Sequence, residues 1–599
     1  MDYANVSSLP AMFFEWAEGR GERSFLWAKR DGAYEPLSWT HAAHGVSRLA
    51  RALVALGIEP GDRVVLVSEN RPEWVVADLA IVSAGAATVP AYITNTVDDH
   101  RHIFGNSGAH AVIVSTPALA ARAIAAAAQV PSVRHVITID PLPDAPGLVP
   151  VRGWTEMLAL GAAQPDDLVQ RIAALKPDDM ACIMYTSGTG GVPKGVMLSH
   201  RNIIANCRGA HRLLETLGLD DEVFLSFLPL SHSYEHTAGM FFPISIGAEI
   251  YFAEGAETLG ANLLEARPTI MTAVPRLYET MHQRIGRQIE REHGLKRALF
   301  EKAVAIGRKR LAGEPLTLAE RALDPLLDRL VRNKVRARFG GRLKAMISGG
   351  APLNPGIGSF FLALGVRLLQ GYGQTEAAPV ICCNAPMRVR IDTVGPALDG
   401  VEIRIADDGE ILVHGDNVML GYWNDPEATA RSLTEGWLHT GDIGRLDPDG
   451  YLRITDRKRD FIKNSGGDMI SPQRIEGELT LAPEIAQAMV VGDRRPYLCA
   501  VVVPDPDWAA GYARQRGVAC ELPALAGDSD FHKAVGEAVA RINESLPNIE
   551  RVRRFVVANE AFSVANGQMT PTLKIRRHAV RDAYGAALDS LYDGKGIAA

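Results

Sequence analysis

The chain has 599 residues, more than a single hydrophobic core can organise, and therefore divides into two or more domains. Hydrophobic residues make up 47% and charged residues 22%, with a formal net charge of −7, so the composition is ordinary globular and carries no basic footprint for a nucleic-acid partner. Six cysteines, Cys182, Cys207, Cys382, Cys383, Cys499 and Cys520, show no CxxC spacing and read as reduced thiols, neither a disulfide frame nor a metal site.

Residues 1–18 contain Asp2, Glu15 and Glu18 where a secretory leader would have a basic start and an apolar core, so no leader is expected. From about residue 40 to 135 helical patterns alternate with apolar strands: a helix over Ala42–Leu56, a strand over Arg63–Val67, a helix over Val75–Ala84, and short strands at Val112–Ser115 and His135–Ile139. That alternation predicts an α/β fold. The apolar run Met180–Tyr185 predicts a buried strand, and the hydroxyl- and glycine-rich stretch Thr186-Ser187-Gly188-Thr189-Gly190-Gly191-Val192-Pro193-Lys194-Gly195 begins where it ends. Glycines that admit positive φ let backbone N–H groups converge on an anion, hydroxyls add donors, and Lys194 adds charge, so the stretch reads as a phosphate-holding loop. A Walker A loop is excluded, because Lys194 sits between Pro193 and Gly195 and no Gly-Lys-Ser/Thr occurs.

Phe227–His236 joins an apolar strand end to a polar cluster containing His232. The most apolar stretch, Thr237–Phe252, is too short to cross a bilayer and carries Glu249. Between Val274–Glu279 and Ser348–Leu353 lies a long helical insertion. Residues 284–344 hold seventeen Lys/Arg against seven Asp/Glu, a local excess of positive charge in an acidic chain. Gly371-Tyr372-Gly373-Gln374-Thr375-Glu376 follows the apolar run Phe360–Leu369 at a strand-to-loop switch, where open α/β sheets bind ligands. Thr440-Gly441-Asp442, then Asp456–Asp460, Ile462–Asp468 and Thr570–Arg577 complete the informative motifs.

In this order the motifs resemble the adenylate-forming superfamily of acyl-CoA synthetases, nonribosomal adenylation domains and luciferases, over about residues 20 to 580. The insertion and the stretch Val89–Thr96 are most similar to the long-chain acyl-CoA synthetase branch. The resemblance implies an α/β protein. Its large N-terminal adenylate-forming domain, residues 1–458, has stacked α/β subdomains and a β-rich part, and its small mobile α+β C-terminal domain covers residues 459–599. It implies activation of a long-chain fatty acid by ATP to an acyl-adenylate with release of pyrophosphate, followed by transfer to coenzyme A with Mg²⁺ as cofactor. A carrier-protein phosphopantetheine as acceptor, or a binding protein without turnover, are the alternatives.

By the same resemblance Lys574, Lys194, Thr375 and His232 are catalytic, with His232 beside the acyl carboxylate and Lys574 bridging it to the α-phosphate. Thr186, Ser187, Gly188, Thr189, Gly190, Gly191, Lys194, Gly349, Gly350, Ala351, Tyr372, Gly373, Thr375, Asp442 and Arg457 line the nucleotide site, and Glu376 holds the metal. Tyr372 stacks on adenine, and Asp442 and Arg457 meet the ribose. Gly466 and Gly467 pass the pantetheine arm, and Lys458 or Arg459 is the hinge. Gly190 departs from the family, which usually has threonine there, and an altered nucleotide affinity is expected. The implied setting is cytoplasmic, with peripheral attachment to anionic membrane through the basic insertion.

Overall fold

The computed structural model describes residues 1–142, 149–186, 193–255, 257–457, 462–465, 468–570 and 573–593. Two eight-stranded sheets dominate the first three quarters of the chain. One runs, in spatial order, Gly421–Tyr422, Lys194–Ser199, Met180–Thr186, Ala87–Ala91, Arg63–Val67, Ala111–Val114, His135–Thr138 and Val151–Gly153. The other runs Val380–Cys383, Leu368–Gly373, Ala345–Ser348, Ile270–Ala273, Val223–Ser226, Glu249–Phe252, Ser24–Arg30 and Ala33–Ser38. Their inner strands are parallel and buried on both faces, which is why they read as unbroken apolar runs.

Side chains alternate across each sheet as the pleat requires. Val64 and Leu66 join the central core, which also contains Leu49, Trp74, Ile203, Phe224 and Ile250, whereas Val65 and Val67 pack outward with Ile103 and Phe104. Leu225, Met271 and Met346 face the opposite outer layer with Tyr278, Phe360 and Phe361. The result is five alternating layers of helix and sheet. The helix expected at Ala42–Leu56 spans Trp39–Ala55, and the strand expected at Arg63–Val67 has those bounds. The run Phe360–Leu369 is not one element: helix Pro355–Ala363 ends, Gly365 turns the chain at φ +79°, and strand Leu368–Gly373 begins.

An antiparallel five-stranded sheet follows, containing Val401–Ile405, Glu410–Gly415, Leu433–Thr434, Trp437–Leu446 and Leu452–Arg457. The last part of the chain builds a separate core around strands Ile485–Val491, Leu498–Pro504 and Val552–Val557. Helices Pro472–Leu479 and Ser529–Asn543 cover one face through Ile475, Leu479, Phe531 and Val535; helix Arg577–Tyr592 covers the other through Val580, Tyr584 and Leu588. This part rests on the large one through Arg287, 2.8 Å from Asp505, and Asn354, whose Nδ2 donates to the Gly477 carbonyl at 3.3 Å.

The basic insertion is helical, as expected, in Leu295–Leu311 and Leu318–Leu327, the latter continuing through a wide turn into Asn333–Arg338. Of its acids, Glu320 and Asp324 are buried, and Glu301 and Glu314 are exposed. Glu320 lies 2.8 Å from Lys309, Asp324 2.8 Å from the buried Arg332, and Asp328 2.8 Å from Arg336. Lys309 and the Thr317 backbone N–H hold the Glu320 carboxyl down at about 2. The outward side keeps Arg321, Arg329 and Lys334, which have no ion pair among the described residues, together with exposed Leu318, Leu326 and Leu330. No helix among the described residues is long and apolar enough to cross a membrane.

Candidate active site

Strands Met180–Thr186 and Lys194–Ser199 form an antiparallel hairpin with Thr186 opposite Lys194. Ser187, Gly188, Thr189, Gly190 and Gly191 lie outside the described residues. The second strand enters helix His200–Leu214 through a capping box made by Ser199 and Asn202. Two asparagines of that helix hold distant loops in place. Asn202 Nδ2 donates to the carbonyls of Asp416 and Val418, each at 2.8 Å, and Asn206 Nδ2 to that of Val380 at 2.8 Å.

The segment after Asp416 closes the hairpin's edge. Gly421 and Tyr422 pair with Met197 and Val196, and the Trp423 N–H donates to the Gly195 carbonyl at 2.8 Å. A Cβ at Gly195 would stand 2.7 Å from Ile183 and 3.3 Å from Trp423, so glycine is needed for this approach. On its other side the segment binds the Glu376 loop, the Met419 N–H donating to the Glu376 carbonyl at 2.9 Å. Side chains follow the backbone: the Tyr422 hydroxyl donates to Glu376 Oε1 at 2.8 Å, Lys194 Nζ lies 5.1 Å over the Tyr422 ring, and Asp425 Oδ2 is 3.5 Å from Lys194 Nζ. Asp425 also caps helix Pro426–Ser432 by accepting from the Ala428 N–H; that bond first, then Lys194, keeps its carboxyl below the usual range.

Strand Leu368–Gly373 brings the facing wall. Tyr372 Oη donates to Asp442 Oδ2 at 2.6 Å, so the tyrosine expected to stack also fixes the carboxylate expected to meet the ribose. Asp442 is opposite Arg457 in the antiparallel ladder. Thr375 Oγ1 lies 2.9 Å from Ser233 Oγ. His232 accepts from the Tyr234 N–H at Nδ1 (3.1 Å), and enclosure together with the Lys574 charge lowers its pKa to about 3, leaving a neutral imidazole. Lys574 reaches the same space from the small domain: its Cε is 3.9 Å from where a Gly350 Cβ would stand. At Gly349 a Cβ would press on the Tyr234 ring at 2.9 Å, and Tyr234 is itself tied to the Ile347 carbonyl at 3.0 Å.

Lys194, Glu376, Thr375, His232, Tyr372, Gly349 and Gly350 therefore occupy the ends of strands of both large sheets and the loops after them, Asp442 comes from strand Trp437–Leu446 of the five-stranded sheet, and Lys574 from the C-terminal part. Gly466, Gly467, Lys458 and Arg459 fall outside the described residues, as does the Arg457 side chain. Ser233, Tyr422 and Asp425 belong to the site although no motif assigned them a role. Asp425-Pro426 is legible as a helix start, but nothing in the sequence marks its ion pair. Among the described residues no three candidate ligands cluster around a metal position. A lone carboxylate, Glu376, fits Mg²⁺, which takes one or two carboxylates and completes its shell with water and substrate phosphate.

Beneath the His232 loop, Glu235 opens a wide helical turn, Glu235–Phe241, with its carboxylate fully buried. It accepts from Ser226 Oγ at 2.7 Å and Thr272 Oγ1 at 2.6 Å, bonds that tie the loop to two central strands. Burial outweighs those bonds and raises its pKa to about 7.

The AMP-binding enzyme family matches residues 13–423, and its AMP-binding enzyme C-terminal domain matches residues 459–596. The long-chain-fatty-acid–CoA ligase FadD15 of Mycobacterium bovis is 33% identical over 597 residues, 98% of this chain and 97% of that protein. The human long-chain-fatty-acid–CoA ligase 6 is 32% identical over 550 residues, 88% and 78% of the two chains. Among solved structures, the A domain of carboxylic acid reductase from Segniliparus rugosus, with AMP and a carboxylic acid, superposes with a TM-score of 0.77 at 23% identity, covering 98% and 95%. An anthranilate CoA ligase, AuaEII, with anthranoyl-AMP, gives 0.73 at 20% identity, covering 98% and 100%.

The raised Glu235 pKa has a sign that can be tested. A carboxyl at about 4.5 unfolded and about 7 folded favours the folded state only while protonated, so its ionisation withdraws stability as pH rises through that interval, by up to about 3 kcal/mol. Glu235→Gln should remove that slope, and its melting temperature relative to the parent should climb between pH 5 and pH 8. Parallel melting curves for the two proteins across that range would show that Glu235 is ionised throughout.

Proposed function

Since the chain belongs to the AMP-binding enzymes, we propose that it activates a long-chain fatty acid to its acyl-CoA thioester through an acyl-adenylate, the activity named in relatives that match it nearly end to end. The observation that carries the reading is the convergence of Lys574, the neutral His232 and the Glu376–Tyr422–Lys194 group on one space. The family uses ATP and coenzyme A. In the first step a carboxylate oxygen attacks the α-phosphorus of ATP and pyrophosphate leaves. In the second the coenzyme A thiol sulfur attacks the acyl carbon, its proton is lost and AMP leaves.

Bringing two anions together is the obstacle in the first step, and cationic groups aimed at the developing charge are its remedy. Lys574 lies beside both Gly350 and His232, where it would contact the carboxylate and the α-phosphate together. Lys194 would take the outer phosphates, Thr375 the α-phosphate, and Asp442, steadied by Tyr372, the ribose hydroxyls. A neutral His232, whose Nδ1 accepts from the Tyr234 N–H, carries its proton on Nε2 and would donate it without adding a second cation to the carboxylate side. Glu376 would hold Mg²⁺, which supplies charge neutralisation to the phosphates when bound. An acyl chain of about sixteen carbons gains on the order of 10 kcal/mol from burial, at about 0.8 per CH₂, enough to select for length.

The domain division is proposed at Lys458 or Arg459, between the two family matches. The small domain carries Lys574 for adenylation and Gly466 and Gly467 for the pantetheine arm, serving the two half-reactions in turn. Peripheral attachment to anionic membrane is proposed through the outward side of the insertion, where exposed Leu318, Leu326 and Leu330 stand with Arg321, Arg329 and Lys334. Cosedimentation with phosphatidylserine vesicles should occur at low salt and weaken at high salt, and absence of binding at low salt would remove this attachment.

Lys574→Ala tests the chemistry directly. Acyl-adenylate formation, followed by pyrophosphate release, should fall by about a hundredfold or more, while thioester formation from supplied acyl-adenylate and coenzyme A persists. Equal damage to both half-reactions would rule out this division of labour.

A further inference from the structure

We infer that Asp425 and Tyr422 are positioning residues for the polyphosphate site: Asp425 competes with the nucleotide's outer phosphates for Lys194, and Tyr422 orients both Lys194 and the Glu376 carboxylate toward the same ligand. The inference rests on the proposed function and on Lys194 as the phosphate-loop cation. No motif read from the sequence assigns either residue a role.

The geometry begins with a single aromatic ring serving two opposite charges. Tyr422 Oη donates to Glu376 Oε1 at 2.8 Å, and the face of the same ring lies 5.1 Å from Lys194 Nζ. Backbone pairing to Met197 and Val196 on one side, and the Met419 N–H bond to the Glu376 carbonyl on the other, fix that ring between the two groups. Glu376 thereby has one oxygen engaged by a neutral donor and keeps its second for a cation. Lysine is a long chain with considerable rotamer freedom, and a phosphate-binding lysine loses that freedom on meeting its ligand. The ring face confines Lys194 beforehand, which lowers that loss.

Asp425 gives the arrangement its direction. The pair at 3.5 Å is solvent-exposed, with side-chain exposures of 42% for Lys194 and 36% for Asp425, so it contributes little stability. A polyphosphate offers the ammonium several anionic oxygens and shorter, charge-assisted bonds. Exchange of Asp425 for phosphate is therefore favourable, yet the ligand must displace a carboxylate to make it. Asp425 keeps its second task throughout, because its bond to the Ala428 N–H caps helix Pro426–Ser432 independently of Lys194. This separates the charge from the cap: asparagine or serine preserves a capping oxygen and removes the competing anion.

Calorimetric titration of the full chain tests both residues. With EDTA present, Asp425→Asn and Asp425→Ser should bind ATP about two- to fivefold more tightly than the parent and leave the AMP dissociation constant unchanged, since AMP lacks the outer phosphates. Tyr422→Phe keeps the ring and loses the hydroxyl; it should raise the Mg²⁺ concentration that half-saturates the metal-dependent gain in ATP affinity, with metal-free ATP binding unaltered. Thermal melts of the three variants confirm that each is folded. ATP binding by the Asp425 variants that equals or falls below the parent's, or AMP binding that tightens by the same factor, overturns the competition. An unchanged Mg²⁺ midpoint in Tyr422→Phe overturns the positioning of Glu376. A parent that binds neither nucleotide overturns the proposed function itself, whereas a parent that binds with unaltered variants overturns the inference alone.

Discussion

One piece of edge pairing holds the site together. The segment from Asp416 to Asp425 adds a short strand to the Lys194 hairpin through Gly421 and Tyr422, and the same segment accepts and donates bonds to helix His200–Leu214 and to the Glu376 loop. The hairpin belongs to one large sheet and the Glu376 loop follows a strand of the other. The segment thus gives the cation and the carboxylate, carried by two sheets, a common reference beside the tie from Asn206 to Val380. Backbone bonds in such a ladder are individually modest, about 1 kcal/mol net, but they fix register, and register decides where Tyr422 and Asp425 point.

The same logic of fixed dipoles and enclosed charge runs through the rest of the site. Burial that would be costly for an unpartnered group is accepted where hydroxyls are available, as at Glu235 between Ser226 and Thr272. It is turned to use where a neutral species is wanted, as at His232 beside Lys574. The insertion sorts its charges in a comparable way. Glu320, Asp324 and Asp328 pair with Lys309, Arg332 and Arg336, and Arg321, Arg329 and Lys334 stand exposed beside leucines.

Much of this was legible before any coordinate. Glycine and hydroxyl clusters at the ends of apolar runs marked where strands Met180–Thr186 and Leu368–Gly373 end, because strand periodicity and turn chemistry are both local properties. The split of Phe360–Leu369 into helix and strand was not legible, since a short apolar run looks alike in either, and only Gly365 hinted at the break. Tyr422 stood in a noticeable Gly-Tyr-Trp cluster, but its meaning depends on Lys194 and Glu376, which are remote in sequence and meet it only through sheet pairing. The count of basic residues in the insertion was correct as a sum and silent on orientation, because which face a charge occupies is set by tertiary packing.

In the proposed reaction one site condenses an apolar acid with ATP and then passes the acyl group to a thiol. Pyrophosphate release measured across saturated acids of graded length, with and without coenzyme A and with the product identified, tests it most directly. Release should depend on the acid, rise with chain length into the long-chain range, and yield acyl-CoA when coenzyme A is present. Release independent of the acid, or acyl-adenylate accumulating with no thioester at saturating coenzyme A, would contradict it.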